Sequence, residues 1–185
     1  MNYMRTLIMW NLLTLDGYFE GGKSWDLEWH NDVWGEELER FSLEQLRSAD
    51  MLLFGRITYE GMAAYWRTAE GEVADLMNSL PKVVFSRTLR AAGWANTTLI
   101  NDDAAAAVLK LKQQGAGNMF VFGSGNLSAT FIREGLFDEY RLLLAPVILG
   151  DGNPLFGRGL SRRGLKLLES KQLASGGVIL RYVSK

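Results

Sequence analysis

Apolar residues recur along this chain with two different periods, and each change of period marks a new element. Short runs rich in apolar and β-branched residues predict strands at Thr6–Thr14, Met51–Phe54, Lys82–Ser86, Thr97–Ile100 and Met119–Phe122. Between them the spacing becomes helical. From Val33 to Ala49, Leu38, Phe41, Leu46 and Ala49 fall on one face with charged residues between them. A second helix is expected to begin near Thr58, and a short third over Asp75–Leu80 stops at Pro81, because proline disfavours helical geometry in the residue before it. Ala104–Gln114 reads as a helix, with Asp102 or Asp103 accepting its first free N–H groups and Gly115 suited to a left-handed C-terminal position. Leu127–Glu134 gives one more.

Past residue 138 the helical period is gone. Glu139–Val147, Leu165–Lys171 and Val178–Val183 are strand-like, and Gly150, Gly152, Gly157 and Gly176-Gly177 mark turns. Helix-linked strands imply a parallel sheet, and a helix-free end implies antiparallel strands added at one edge. The expected fold class is therefore α/β, a mixed but mostly parallel sheet with flanking helices and antiparallel C-terminal strands. No linker, repeat or low-complexity stretch interrupts it, so residues 1–185 are expected to form a single domain.

Composition narrows the chemistry mainly by exclusion. Lys and Arg total 20 against 21 Asp and Glu, so no net field favours a polyanion and nucleic acid is not an expected partner. Any phosphate must be bound locally. The absence of cysteine removes thiol catalysis and thiolate metal sites, and with the single His30 it leaves no expected metal. The run Leu7–Leu15 is broken by Asn11 and Thr14 and has no cleavage pattern behind it, and no stretch reaches the roughly 18 apolar residues of a membrane span. A soluble, cytoplasmic protein is the expectation.

Three predicted strand ends carry polar residues suited to phosphate. Phe54-Gly55-Arg56-Ile57-Thr58 runs a strand through a glycine into a helix, with Gly55 admitting a ligand, Arg56 offering a planar charge and Thr58 able to cap the helix. Taken alone, it is equally a capped helix with a solvent arginine. Val84-Phe85-Ser86-Arg87 ends a buried strand in a hydroxyl and a guanidinium, which alone is an ordinary polar strand end. Gly123-Ser124-Gly125-Asn126-Leu127 opens a helix with small residues, as a pyrophosphate cradle needs, but lacks the third glycine of the Rossmann fingerprint.

All three in this order resemble the dihydrofolate reductases, where a Gly-Arg-x-Thr helix start, a Ser-Arg or Ser-Ser strand end and a Gly-rich strand-to-helix turn hold NADPH. Thr14-Leu15-Asp16-Gly17 near the start, and Asp138-Glu139-Tyr140 through Ala145-Pro146-Val147-Ile148-Leu149-Gly150, look like the RibD C-terminal domain, over nearly the whole chain. The resemblance implies a dihydrofolate reductase-like three-layer fold and NADPH as cofactor. It places Arg56 and Arg87 at the 2′-phosphate, Thr58 and Gly123 to Leu127 at the pyrophosphate, and Gly55 and Ser86 beside them. The family's characteristic activity is reduction of 5-amino-6-(5-phosphoribosylamino)uracil in riboflavin biosynthesis, and relatives pair through their terminal strands, so a homodimer is expected. Lysine commonly follows the Asp-Gly in the dedicated riboflavin-pathway reductases; Tyr18 stands here.

Residues 16 to 34 are rich in aromatic groups, with Tyr18, Phe19, Trp25, Trp29 and Trp34 beside several acids, which suits a small, flat heteroaromatic acceptor. Asp16, Tyr18 and Trp25 are the substrate-side candidates. In dihydrofolate reductases a Trp-x-Leu segment precedes the acid that guides protonation, and Trp25-Asp26-Leu27 matches it. Three residues on stands His30, with Asp32 two further, so His30 and Asp32 are the catalytic candidates. A capping or surface role for His30 remains the alternative, as do dihydrofolate reduction and a non-catalytic nucleotide-binding domain for the whole chain.

Overall fold

The computed structural model describes residues 4–185. Its strands and helices are β1 (Thr6–Thr14), β2 (Tyr18–Glu20), α1 (Glu36–Arg47), β3 (Ala49–Gly55), α2 (Arg56–Trp66), α3 (Glu72–Ser79), β4 (Lys82–Phe85), β5 (Thr97–Ile100), α4 (Ala104–Gln113), β6 (Asn118–Phe122), α5 (Gly125–Arg133), β7 (Glu139–Ala145), β8 (Asn153–Pro154), β9 (Leu165–Gln172) and β10 (Val178–Ser184). Eight strands form one sheet in the order β5-β4-β3-β6-β1-β7-β10-β9, parallel from β5 through β7 and antiparallel at β10 and β9. The short strands β2 and β8 pair separately.

Side-chain alternation gives the sheet two buried faces, as a parallel sheet covered by helices requires. Leu7, Met9, Leu53, Val83, Met119 and Val121 point to the side closed by Val108 of α4 and Phe131 and Ile132 of α5. Ile8, Trp10, Leu52, Phe54, Val84 and Phe120 point to the other, closed by Leu38 and Leu46 of α1, Tyr59 of α2 and Met77 of α3. The result is a three-layer arrangement with helices on both faces of one sheet, as the sequence resemblance implies.

Several boundaries move for local reasons. Helix α1 begins at Glu36 instead of Val33, because the chain is still extended at Gly35, its N-cap. Helix α2 begins at Arg56 with Gly55 as N-cap, so Thr58 lies inside the first turn and does not cap it. Asp103 is the cap of α4, accepting from Ala106 N at 2.8 Å. Beyond that helix the left-handed glycine is Gly117 (φ 114°), not Gly115. The apolar strand β7, which carries Leu142, is enclosed between β1 and β10, so the C-terminal edge open to pairing is β9. Among the described residues no helix is long and apolar enough to cross a membrane.

Candidate active site

The C-terminal ends of β1, β3, β4 and β6 open into one cleft of about 870 Å³. Gly55, Arg56, Thr58, Ser86, Arg87 and Gly123 through Leu127 all line it, although they come from three separate segments. Hydrogen bonds stitch two of these segments together. Gly55 N donates to Ser124 Oγ at 3.0 Å, and Ser124 N donates to Thr58 Oγ1 at 3.0 Å. Thr58 thus spends its hydroxyl across the cleft floor. Gly123 (φ 55°) and Ser124 (φ 58°) are both left-handed, which turns the chain sharply from β6 into α5. Ser86 Oγ accepts from Thr88 N at 3.2 Å and Leu89 N at 2.9 Å, holding the loop that carries the exposed Arg87.

Two helix N-termini face this half of the cleft, and neither is closed by its own residues. Helices α2 and α5 have no side-chain cap and no acid in their first turns. Elsewhere the termini are compensated: α1 and α3 carry acids in their first turns and α4 has Asp103. Uncapped N–H groups at the positive ends of two helix dipoles, flanked by Arg56 and Arg87, form a local anion site in a chain of nearly zero net charge. A dinucleotide's pyrophosphate and an added phosphate match that donor set.

The other half is apolar, lined by Trp10, Leu12, Phe19, Trp25, Trp34 and Met62 among others. The loop after β2 crosses it. Trp25 has a left-handed backbone (φ 66°), and its N–H donates to a carboxylate oxygen of Glu20. The edge of its ring packs against Gly61 of α2, where a Cβ would sit 1.6 Å from Trp25 Cε2. Glycine inside a helix costs about 1 kcal/mol relative to alanine, and here it makes the seat for that ring.

Of the acceptor-side candidates, Trp25 and His30 line the cleft, whereas Asp16, Tyr18 and Asp32 do not. Asp32 faces a shallow neighbouring depression with Asp26 and Glu28. Asp16 is a clasp. It accepts from the Thr14 hydroxyl at 2.6 Å, Gly150 N at 2.8 Å and Leu149 N at 3.3 Å, so it ties the β1–β2 turn to the loop that leads into β8. The Thr14 hydroxyl, with these amides, holds its carboxyl below the usual range. Tyr18 opens β2 opposite Pro154 of β8. These residues position Glu20 and Asn153, which do line the cleft and are bonded to each other at 2.8 Å.

Burial changes the reading of His30. It pushes the imidazole down to about 4 from 6.5, so His30 is neutral near pH 7 and is no ready imidazolium acid. Its ring meets Trp29 edge-on at 4.3 Å, and its Nε2 has no protein partner. Between pH 6.5 and 4 the unfolded chain takes up a proton that the folded chain refuses. Stability should therefore fall by up to about 3 kcal/mol as pH drops through that window. Urea unfolding of wild type and His30→Gln across these pH values checks it; an identical pH dependence in both would show that His30 is not held neutral.

Two cleft residues escaped the sequence reading. Asn11 is 4% exposed, lines the cleft and leaves Nδ2 without a partner. Its signal was the polar break in an otherwise apolar strand. Glu20 is buried in the wall, and its three-residue strand has too little periodicity to be seen.

Fold and cleft together define a reductase-like α/β domain of the dihydrofolate reductase type. The chain belongs to the RibD C-terminal domain family, whose model matches residues 5–179. The uncharacterized protein YyaP of Bacillus subtilis (strain 168) is 32% identical over 183 residues, covering 96% of this chain and 94% of YyaP. A structure of a candidate riboflavin biosynthesis protein from Shewanella sp. PV-4 superposes with a TM-score of 0.80 at 22% identity, over 97% of this chain and 99% of that one. Dihydrofolate reductase from Enterococcus faecalis, complexed with NADP(H), superposes with a TM-score of 0.68 at 12% identity, over 100% and 99% of the two chains.

Proposed function

We propose that this chain is an NADPH-dependent reductase acting on a small, flat, pteridine-like or aminopyrimidine acceptor. The observation that carries the proposal is the convergence of two uncapped helix N-termini and two arginines on one half of a cleft whose other half is aromatic. Arg56 and Arg87 would hold the 2′-phosphate, and the first turns of α2 and α5 the pyrophosphate. Bound there, NADPH would supply the hydride. The protein's own part is to place the acceptor ring against the nicotinamide and exclude water with Phe19 and Trp25. His30, held neutral by burial, would position the acceptor or a proton-carrying water through its unpartnered nitrogen. Placement of this kind contributes through proximity and hydrogen bonding more than through proton donation from a charged acid.

The test is oxidation of NADPH in the presence of aminouracil, pterin and dihydrofolate acceptors, followed against pH in wild type and His30→Ala. Turnover in wild type without an inflection near pH 6.5, and a drop of about tenfold or more in the variant at unchanged NADPH affinity, is expected. NADPH binding without oxidation by any acceptor would favour the non-catalytic nucleotide-binding reading. We further propose a homodimer formed through the β9 edge, where Leu167 and Leu168 are half exposed. Sedimentation at micromolar concentration should give twice the 20.7 kDa chain mass, and a monomer would refute it.

A further inference from the structure

We propose that the acceptor carries no phosphate and is a neutral or cationic heteroaromatic compound, which rests on the reductase reading and narrows its substrate class. Acids line both halves of the cleft, Asp102 and Asp103 beside the Ser86–Arg87 strand end and Glu20 in the other wall, but cations line only one. Arg56 and Arg87 belong to the cofactor half. The acceptor half is lined by Trp10, Leu12, Trp25, Trp34, Met62 and Trp66, and among the described residues no lysine or arginine lines it. Lys23 and Arg67, sequence neighbours of this wall, are exposed and do not belong to its lining.

The charge that does line this half is negative. Glu20 is 9% exposed in the wall itself. Asp26, Glu28 and Asp32 follow in the loop but face the neighbouring depression, and Glu36, Glu37 and Glu39 lie in the first turn of α1 outside the lining. Acids in that turn offset the positive end of α1, the reverse of the arrangement at α2 and α5. His30 offers no compensating charge, being buried and neutral. A phosphate dianion placed here would lose its hydration with no cation to replace it, and buried unpaired charge is the costliest case in protein interiors.

What the wall does offer is polar and uncharged. Asn11 and His30 line the cleft, and their Nδ2 and Nε2 atoms are buried and lack partners. Buried polar atoms of this kind are normally satisfied, so their vacancies fit a ligand edge bearing a carbonyl oxygen or ring nitrogen. The surrounding tryptophans supply flat surfaces for the ring.

The test compares two ligands that differ only in the phosphate: 5-amino-6-(ribosylamino)uracil and 5-amino-6-(5-phosphoribosylamino)uracil. Each is titrated into the protein saturated with NADP+, so that the Arg56 and Arg87 half is filled, with tryptophan quenching as readout, since Trp10, Trp25, Trp34 and Trp66 surround the half in question. The phosphate-free compound should bind at least about tenfold more tightly. Equal or tighter binding of the phosphorylated compound would overturn the proposal. So would the absence of saturable quenching by either. Ser42→Arg, which adds a cation to the same wall from α1, should narrow or reverse the preference, and an unchanged ratio would count against the charge argument. NADP+ is titrated first by itself: failure there would remove the cofactor reading, and the ratio between the two uracils, then measured on the protein alone, would still decide this one.

Discussion

Replacing Arg56 and Arg87 together by alanine is expected to weaken NADPH binding about 100-fold while changing NADH binding less than about threefold. A charge-assisted hydrogen bond is worth about 1.5 to 3 kcal/mol, and both guanidiniums are exposed, so the low end applies. Arg56 must also exchange its helical partner Glu60, at 2.8 Å on the half-exposed face of α2, for the phosphate. Such exposed pairs at this spacing are worth only about 0.3 to 0.5 kcal/mol, so the exchange favours the ligand. Two contacts of about 1.4 kcal/mol give the stated factor. NADH has no group for either side chain to meet. Titration of both cofactors into wild type and variant, at low and at physiological ionic strength, reads the effect. Equal losses for both cofactors, or none for either, would show that these arginines do not hold the added phosphate.

Glu139→Ala should unfold the protein more readily than any substitution in the cleft, by about 3 to 5 kcal/mol. Glu139 is buried where β7 begins, receiving Arg141 Nε at 2.8 Å and Arg181 Nε at 2.7 Å. Arg141 also donates to Gln45 of α1 at 3.3 Å, and Arg181 to Glu169 of β9 at 3.0 Å. One carboxylate therefore ties β7 and β10 together and anchors two guanidiniums that reach α1 and β9. Removing it leaves both cations without their central partner. Burial by itself would raise its carboxyl, but the two arginines outweigh burial and hold it below the ordinary carboxylate range. Its contribution is thus present above that range and lost as pH falls through the lowered value, so the gap between wild type and variant should close in acid. None of these residues lines the cleft, and NADPH affinity should survive. Denaturant unfolding monitors the first effect and cofactor titration the second; a loss below about 1 kcal/mol would mean the network relaxes around the missing carboxylate.

The layout of the sheet was legible where elements are long enough to show a period. Strands β1, β4, β5 and β6 and helix α4 fall within a residue of their expected bounds, since each alternates or repeats over four or more positions. Strands β2 and β8, of three and two residues, carry no period and depend on tertiary pairing. The start of α2 was misplaced because Thr58 looks like a cap, while its hydroxyl is instead used by Ser124, 66 positions along the chain. The motifs at the three strand ends could be read because each is local, and the topology then brings them side by side. The acceptor half could not be read that way. Asn11, Glu20, His30 and Met62 become neighbours of one cavity only through the crossing of β1, the β2 loop and α2. The neutral state of His30 likewise follows from its packing among residues that sequence order does not specify.

The central claim is that the strand-end cleft holds NADPH, and a crystal structure of the protein with NADPH tests it most directly. The account predicts the 2′-phosphate between Arg56 and Arg87, the pyrophosphate against the first turn of α5 from Gly125 to Leu127, and the nicotinamide directed toward Trp25 and His30. NADPH bound elsewhere, or no NADPH bound at millimolar concentration while the fold is intact, would contradict it.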